Sequence, residues 1–312
     1  MSNLDSSCFN SLLEESGTAG FAYEFIVIID KRQKPAEACG LTCECSRFIS
    51  FAVSFFGRYN EFRFENSDES REMKAVILCA GSGTRLLPLT KDKPKCLLKF
   101  GGRTILERII EDLKACGTEE IFLVTGFHRE RIEHLVKARG YDGIRFVVNE
   151  RFASTNTAFS LNLALKHMDS DFIQINGDML FDGDILKDLI RHPEKNCVVV
   201  DDSNVCHEEE VKVTISDGRI KEISKEIDPK RCVGEAIGIN KISAGAIGEL
   251  SRIFDDLERK EEFQHFFEKG IEEFCSNHGR FGVLLTGRPW VEIDCLADFE
   301  YAQGEIYAKL DA

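Results

Sequence analysis

From residue 73 onward the sequence predicts an α/β fold, a mostly parallel mixed sheet flanked by helices. Three observations predict it. Short β-branched runs alternate with amphipathic segments from 74 to 201, the pattern of βαβ units around a parallel sheet. The first apolar run leads straight into a loop of small residues, Ala80-Gly81-Ser82-Gly83. Beyond residue 201 the alternation stops, and strand-like runs follow one another without helices between them.

In chain order, strands are expected at 74–79, 121–125, 144–148, 172–176 and 198–201. Helices are expected between them at 104–116, 129–139, 157–167 and 183–191. Thr104, with Glu107 three residues on, has the form of a capping box. Runs at 211–216, 219–227 and 234–240 read as strands, the first two joined by Asp217-Gly218 as a hairpin turn. Helical segments at 243–258 and 261–276 come next, then strands at 281–286 and 290–295, and a last helix from Leu296. The result is a Rossmann-like arrangement with a β insertion in its second half.

Residues 1–72 differ in character. They are Phe-rich, with scattered cysteines and no clear periodicity. They read as an N-terminal extension of unknown role, or as a start assigned upstream of a true one at Met73; composition weighs these equally. Residues 73–312 form the expected domain.

Bulk composition excludes several classes. A net charge of -14 argues against a general nucleic-acid binder, which needs a basic face. No apolar run approaches the roughly 20 residues that span a bilayer. The N-terminus has no basic segment followed by an apolar core, so a cytoplasmic location is expected. Cys79, Cys96, Cys116, Cys197, Cys232 and Cys295 sit singly in apolar runs and read as thiols. Cys39, Cys43 and Cys45 cluster, but a zinc site needs a second pair at short spacing. The sequence leaves a homo-oligomer open.

The chemistry concentrates in Leu78-Cys79-Ala80-Gly81-Ser82-Gly83-Thr84-Arg85-Leu86, followed by Pro88-Leu89-Thr90 and Lys93-Pro94-Lys95. Glycines let backbone N–H groups approach anionic oxygens closely. Arg85 and Lys95 add cations, one able to grip phosphate bidentately and the other a point charge. A dinucleotide fingerprint would need a third glycine where Leu86 stands, and the P-loop Gly-Lys-Ser/Thr is absent.

The run from Lys74 to Leu98 resembles the signature of the nucleotidyltransferases that act on sugar 1-phosphates and choline phosphate: an apolar strand, Ala-Gly-x-Gly-x-Arg-Leu, Pro-Leu-Thr and Pro-Lys. The likeness extends over about 73–312 and is closest to bacterial choline-phosphate cytidylyltransferases. It implies the nucleotide-diphospho-sugar transferase fold, with the second-half β insertion building the acceptor pocket. It implies that Leu78, Ala80, Gly81, Ser82 and Gly83 wrap an NTP, and that Arg85 and Lys95 are catalytic, Lys95 neutralising the phosphate under attack.

Two carboxylates complete the expected centre. Asp178 follows the strand at 172–176, and Asp294 ends the strand at 290–295. Strand ends of such sheets face the ligand crevice, and two converging aspartates suit Mg²⁺. The resemblance makes both metal ligands; a turn residue and a helix N-cap are the plain alternatives. Alternation puts Glu292 on the same face as Asp294.

Asn149, Asn156 and Ser160 are expected at the nucleotide. The stretch from Asn149 to Leu161 looks closer to choline-phosphate enzymes than to hexose 1-phosphate enzymes, which favours CTP, although Thr157-Ala158 echoes the latter. Asn156 also reads as a helix N-cap. Lys225, Glu235, Trp290 and Glu292 are expected at the acceptor, Lys225 on its phosphate and Glu235 on its polar or cationic part. Solvated strand positions, and a core aromatic for Trp290, are the alternatives. The resemblance therefore implies CMP transfer from CTP to a phosphorylated small metabolite such as choline phosphate, with Mg²⁺ and release of pyrophosphate. Other readings are a sugar-1-phosphate uridylyl- or thymidylyltransferase and an inactive nucleotide-binding regulatory domain.

Overall fold

The structure, a computed structural model, describes residues 73–310. The cluster Cys39, Cys43 and Cys45 lies outside them.

The first half runs β1 (Lys74–Cys79), a short hairpin of β2 (Lys99–Phe100) and β3 (Arg103–Thr104), α1 (Ile105–Ala115), β4 (Ile121–Thr125), α2 (Arg129–Arg139), β5 (Ile144–Val148), α3 (Thr157–Leu165), β6 (Phe172–Asn176), β7 (Met179–Phe181), α4 (Asp184–Arg191) and β8 (Cys197–Asp201). The second half continues with β9 (Lys212–Ser216), β10 (Arg219–Ser224), β11 (Gly234–Ile242), α5 (Ala244–Arg259), α6 (Glu268–Ser276), β12 (Gly282–Thr286), β13 (Trp290–Glu292) and α7 (Leu296–Tyr301). A π-helical turn (Ala302–Ile306) leads into α8 (Tyr307–Leu310).

Nine strands form one sheet in the order β5-β4-β1-β6-β11-β8-β12-β10-β9. The β5, β4, β1 and β6 strands are mutually parallel, and β8 and β12 are parallel to each other. β11 runs antiparallel between β6 and β8, and β9 returns to pair with the first residues of β11. The second half of the sheet thus curls back on itself.

Strand alternation builds two cores. Ala75, Ile77 and Cys79 of β1 face one layer with α1, α4 and the C-terminal helical turns. Val76 and Leu78 face the other, with α3, α5 and α6. Burial on both faces is why β1 reads as a continuous apolar run.

Local chemistry places several elements as expected. Thr104 Oγ1 accepts from Glu107 N at 3.1 Å, and Glu107 Oε2 accepts from Thr104 N at 2.6 Å, closing the capping box of α1. Asp217 and Gly218, with φ of 51° and 71°, make the β9–β10 turn.

Three expectations are corrected. The helix of 261–276 begins only at Glu268. The preceding segment is drawn onto the start of α3: the carbonyls of Phe263 and His265 accept from Asn156 N and Ala158 N at 2.8 and 3.2 Å. The strand of 290–295 ends at Glu292, because β13 pairs only with the short β7. Asp294 therefore stands past a strand end, not on it. The strand of 219–227 ends at Ser224, leaving Lys225 just beyond it.

Candidate active site

The ends of β1, β6, β8 and β11 open into a cleft of about 1200 Å³. Single small-molecule sites usually occupy about 300–1,000 Å³, so this one has room for two ligands.

At one end the loop after β1 supplies Leu78, Ala80, Gly81, Arg85 and Lys95 to the lining. Ser82 and Gly83 are not part of it, although both were expected at the nucleotide. Gly83 serves differently: its φ is +61°, and a Cβ there would lie 2.6 Å from Cγ of Lys95. The absent side chain is the passage through which Lys95 reaches the cleft. Thr90 Oγ1 donates to the Gly83 carbonyl at 2.7 Å and closes the loop.

Lys95 ends between two aspartates. Its Nζ donates to Asp178 Oδ2 at 3.0 Å and to Asp294 Oδ1. Arg85 donates to the other Asp294 oxygen at 2.8 Å. Burial pulls the Lys95 ammonium down, but Asp178 and Asp294 outweigh it and hold its pKa above normal. Burial likewise pushes Asp294 up, and Lys95 and Arg85 overcome it, keeping that carboxyl low.

Backbone packing aims both aspartates. Gly177 N donates to Leu78 O at 3.0 Å, and a Cβ on Gly177 would sit 2.5 Å from Cys79 Sγ. Only glycine lets the end of β6 lie this close to β1 and turn Asp178 into the cleft. Ile293 N donates to Asp178 O at 3.0 Å, tying the β13 end to it. The α7 cap is made by Asp298, which accepts from Asp294 N and Cys295 N at 2.9 and 2.7 Å. The Asp294 carboxylate is not used as a cap.

Glu292 joins this pair. Oxygens of Asp178, Glu292 and Asp294 lie within 4.8 Å of one another. Burial, then Asp178 and Asp294, drive the Glu292 pKa well above normal, with Lys95 opposing them. Three converging carboxylates are a hard oxygen donor set, which fits Mg²⁺. Glu292, expected at the acceptor, is thus grouped with the expected metal ligands.

The expected base readers are largely engaged elsewhere. Asn149 is 1% exposed; its Nδ2 donates to Thr155 Oγ1 and Ser160 Oγ, each at 3.0 Å, and its Oδ1 accepts from Arg151 N at 2.9 Å. Both amide hydrogens are spent inside the protein. Asn156 caps α3, accepting from Thr157 N at 2.8 Å and donating to Gln264 O at 3.2 Å. Both line the cleft, but as the frame of its wall.

Lys225, Glu235 and Trp290, the residues expected at the acceptor, line the other end of the cleft. Lys225 Nζ lies 4.9 Å from the centre of the Phe266 ring. Trp290 Nε1 donates to Asp201 Oδ2 at 2.8 Å, so its polar edge is committed. Burial, then Glu210 and Asp201, push Glu235 up to about 7, against Lys225 and Lys212. Sequence reasoning missed Glu268, a buried residue of the lining whose Oε2 has no partner and whose pKa burial pushes up to about 7. Its position at the start of α6, inside a longer expected helix, hid it.

The described residues have the nucleotide-diphospho-sugar transferase fold. Residues 75–225 match the MobA-like NTP transferase domain. It is 32% identical over 231 residues to the bifunctional protein GlmU of Methanococcus aeolicus, covering 71% of this chain and 53% of the relative. The chain thus spans about half of that protein. It is 28% identical to the CTP:phosphoglutamine cytidylyltransferase of Campylobacter jejuni, covering 73% of this chain and 98% of the relative. The CTP:phosphocholine cytidylyltransferase structure from Streptococcus pneumoniae superposes with a TM-score of 0.63 at 23% identity, over 74% of this chain and 98% of that one. That likeness speaks to the fold alone. No described helix is long and apolar enough to cross a membrane.

Proposed function

We propose that this chain transfers CMP from CTP to a phosphorylated small metabolite bearing a cationic group, such as choline phosphate, and releases pyrophosphate. The observation that carries the transfer chemistry is Lys95, held between Asp178 and Asp294 at the mouth of the glycine loop with Arg85 beside it.

The glycine-loop end takes the nucleotide, with backbone N–H groups and Arg85 on its phosphates. An acceptor phosphate oxygen attacks the α-phosphorus and forms the new P–O bond. The bond to the bridging oxygen breaks, and the electron pair leaves with pyrophosphate. Lys95 and Arg85 neutralise charge that grows on the transferring phosphate. Asp178, Asp294 and Glu292 would hold Mg²⁺, which when bound supplies a further positive charge for the phosphates. No residue is required as a nucleophile; position and charge suffice.

At the other end, Lys225 meets the acceptor's phosphate. Glu235, and Glu268 with its Oε2 unpartnered, favour a cationic remainder over a neutral sugar. The phosphoglutamine cytidylyltransferase relative, matched over nearly its whole length, supports CTP and a phosphorylated acceptor. The GlmU relative supports the second reading, transfer to a sugar 1-phosphate. Residues 73–312 are proposed to be the active unit.

A panel of the four NTPs against choline phosphate, other amino-alcohol phosphates and sugar 1-phosphates, with Mg²⁺, tests this. Pyrophosphate should appear with CTP and a cationic acceptor. Release with UTP or dTTP and a sugar phosphate would overturn the base and acceptor assignments.

A further inference from the structure

Lys212 opens β9 and has no exposed surface. Taking an ammonium out of water is costly unless its protons are all bonded. Here all three are: Nζ donates to the carbonyls of His207, Glu208 and Glu210 at 3.0, 2.9 and 3.0 Å. These acceptors are all backbone groups of one connection, the segment 202–211 between β8 and β9. Lys212 itself does not line the cleft, but Ser203, Asn204, Val205, His207, Glu209 and Glu210 of this segment do.

The other end of the segment is fixed as well. Asp201, 5% exposed, accepts from Ser203 N at 2.8 Å and from Asn204 Nδ2 at 3.3 Å, besides holding Trp290. Within the segment, His207 N donates to the Glu210 carboxylate. A ten-residue surface connection lacking strand or helix is thus tied at both ends by charged side chains taken nearly out of solvent. Stability alone does not call for this, since an apolar residue at 212 would avoid the desolvation cost. Fixing a wall before a ligand arrives does, because ordering it on binding would subtract from affinity.

We infer that Lys212 is a positioning residue, which preforms the segment 202–211 as a wall of the acceptor end of the cleft and so sets acceptor affinity without touching substrate. This rests on the reading that this end takes the acceptor.

The test compares wild type with Lys212→Met and Lys212→Gln, the latter retaining N–H donors without the charge. Steady-state kinetics use whichever NTP and acceptor the wild type turns over. Lys212→Met should raise the acceptor KM at least tenfold, with the NTP KM and kcat within about threefold, and Lys212→Gln should recover part of the loss. Equal changes in both KM values, or none, would overturn the assignment. Hydrogen exchange at the His207 amide needs neither turnover nor a folded variant. It should be protected in wild type; an unprotected amide would overturn the assignment even if both variants failed to fold. The two readings fail separately: protection in a wild type silent across the panel removes the proposed function and leaves the tie, while turnover with an unprotected segment does the reverse.

Discussion

The two ends of the cleft handle charge in opposite ways. At the glycine-loop end the two aspartates are matched: Lys95 lies between Asp178 and Asp294, Arg85 takes the remaining Asp294 oxygen, and burial and the aspartates push the adjacent Glu292 toward its neutral form. At the far end carboxyls outnumber cations, and Glu235 and Glu268 are pushed up to about 7 by burial. Matched charge is a rigid arrangement that holds its geometry without ligand. Mismatched charge is a site that lacks a cation and gains one from what it binds. The first suits a chemical step common to many substrates, and the second suits selection of one.

The largest effect should come from breaking the matched end. Lys95→Ala removes the counter-charge to two aspartates, and kcat should fall by roughly 10²–10³, as for loss of one oriented donor to a transition state. A variant with kcat near wild type, in the same pyrophosphate assay, would show that the charge match is structural only.

Gly83→Ala should cost less, about tenfold to 10²-fold in kcat, because a small misplacement of a reacting group is felt strongly. The methyl would meet Lys95 Cγ at 2.6 Å, and the backbone is left-handed there. Unchanged turnover would mean that Lys95 has another path to the aspartates.

The mismatched end should titrate. Glu235, with an ordinary value of 4.5, is neutral below about 7 in the folded protein and ionised above it. Affinity for a cationic acceptor should therefore rise from pH 6 to pH 8, by up to about tenfold in KM if one charge contact is at stake. Glu235→Gln should flatten that rise. The same shift has a stability consequence of opposite sign. Between pH 4.5 and about 7 the native state keeps a proton the unfolded chain has released, so ligand-free stability should fall as pH rises through that window. Acceptor KM and melting temperature, each followed against pH, check the pair. A flat KM profile would point to a neutral acceptor.

The same contrast explains what the sequence made legible. The matched end is a contiguous motif, Leu78 to Lys95, plus carboxylates just beyond two strand ends, and each piece carries its own local signal. The mismatched end is assembled from β8, the segment after it, β10, β11 and the start of α6. Lys212 and Glu268 have no motif around them; the connection that Lys212 ties and the start of α6 reach the cleft only through the fold. Asn149 shows the converse. Its residue type suggests base reading, yet burial and the neighbouring Thr155 and Ser160 turn its amide inward. The segment 261–267 looks helical by composition and is drawn off by the open backbone donors at the start of α3. Long-range competition of this kind is invisible to periodicity.

The most direct test of the matched centre is the rate of pyrophosphate release by Asp178→Asn at saturating Mg²⁺, with circular dichroism as a check on folding. The substitution preserves shape and removes one charge from the set of Asp178, Glu292 and Asp294. A loss of about 10² or more in kcat with the fold intact is the predicted result. Turnover near that of wild type would contradict the assignment of this centre to the transfer reaction.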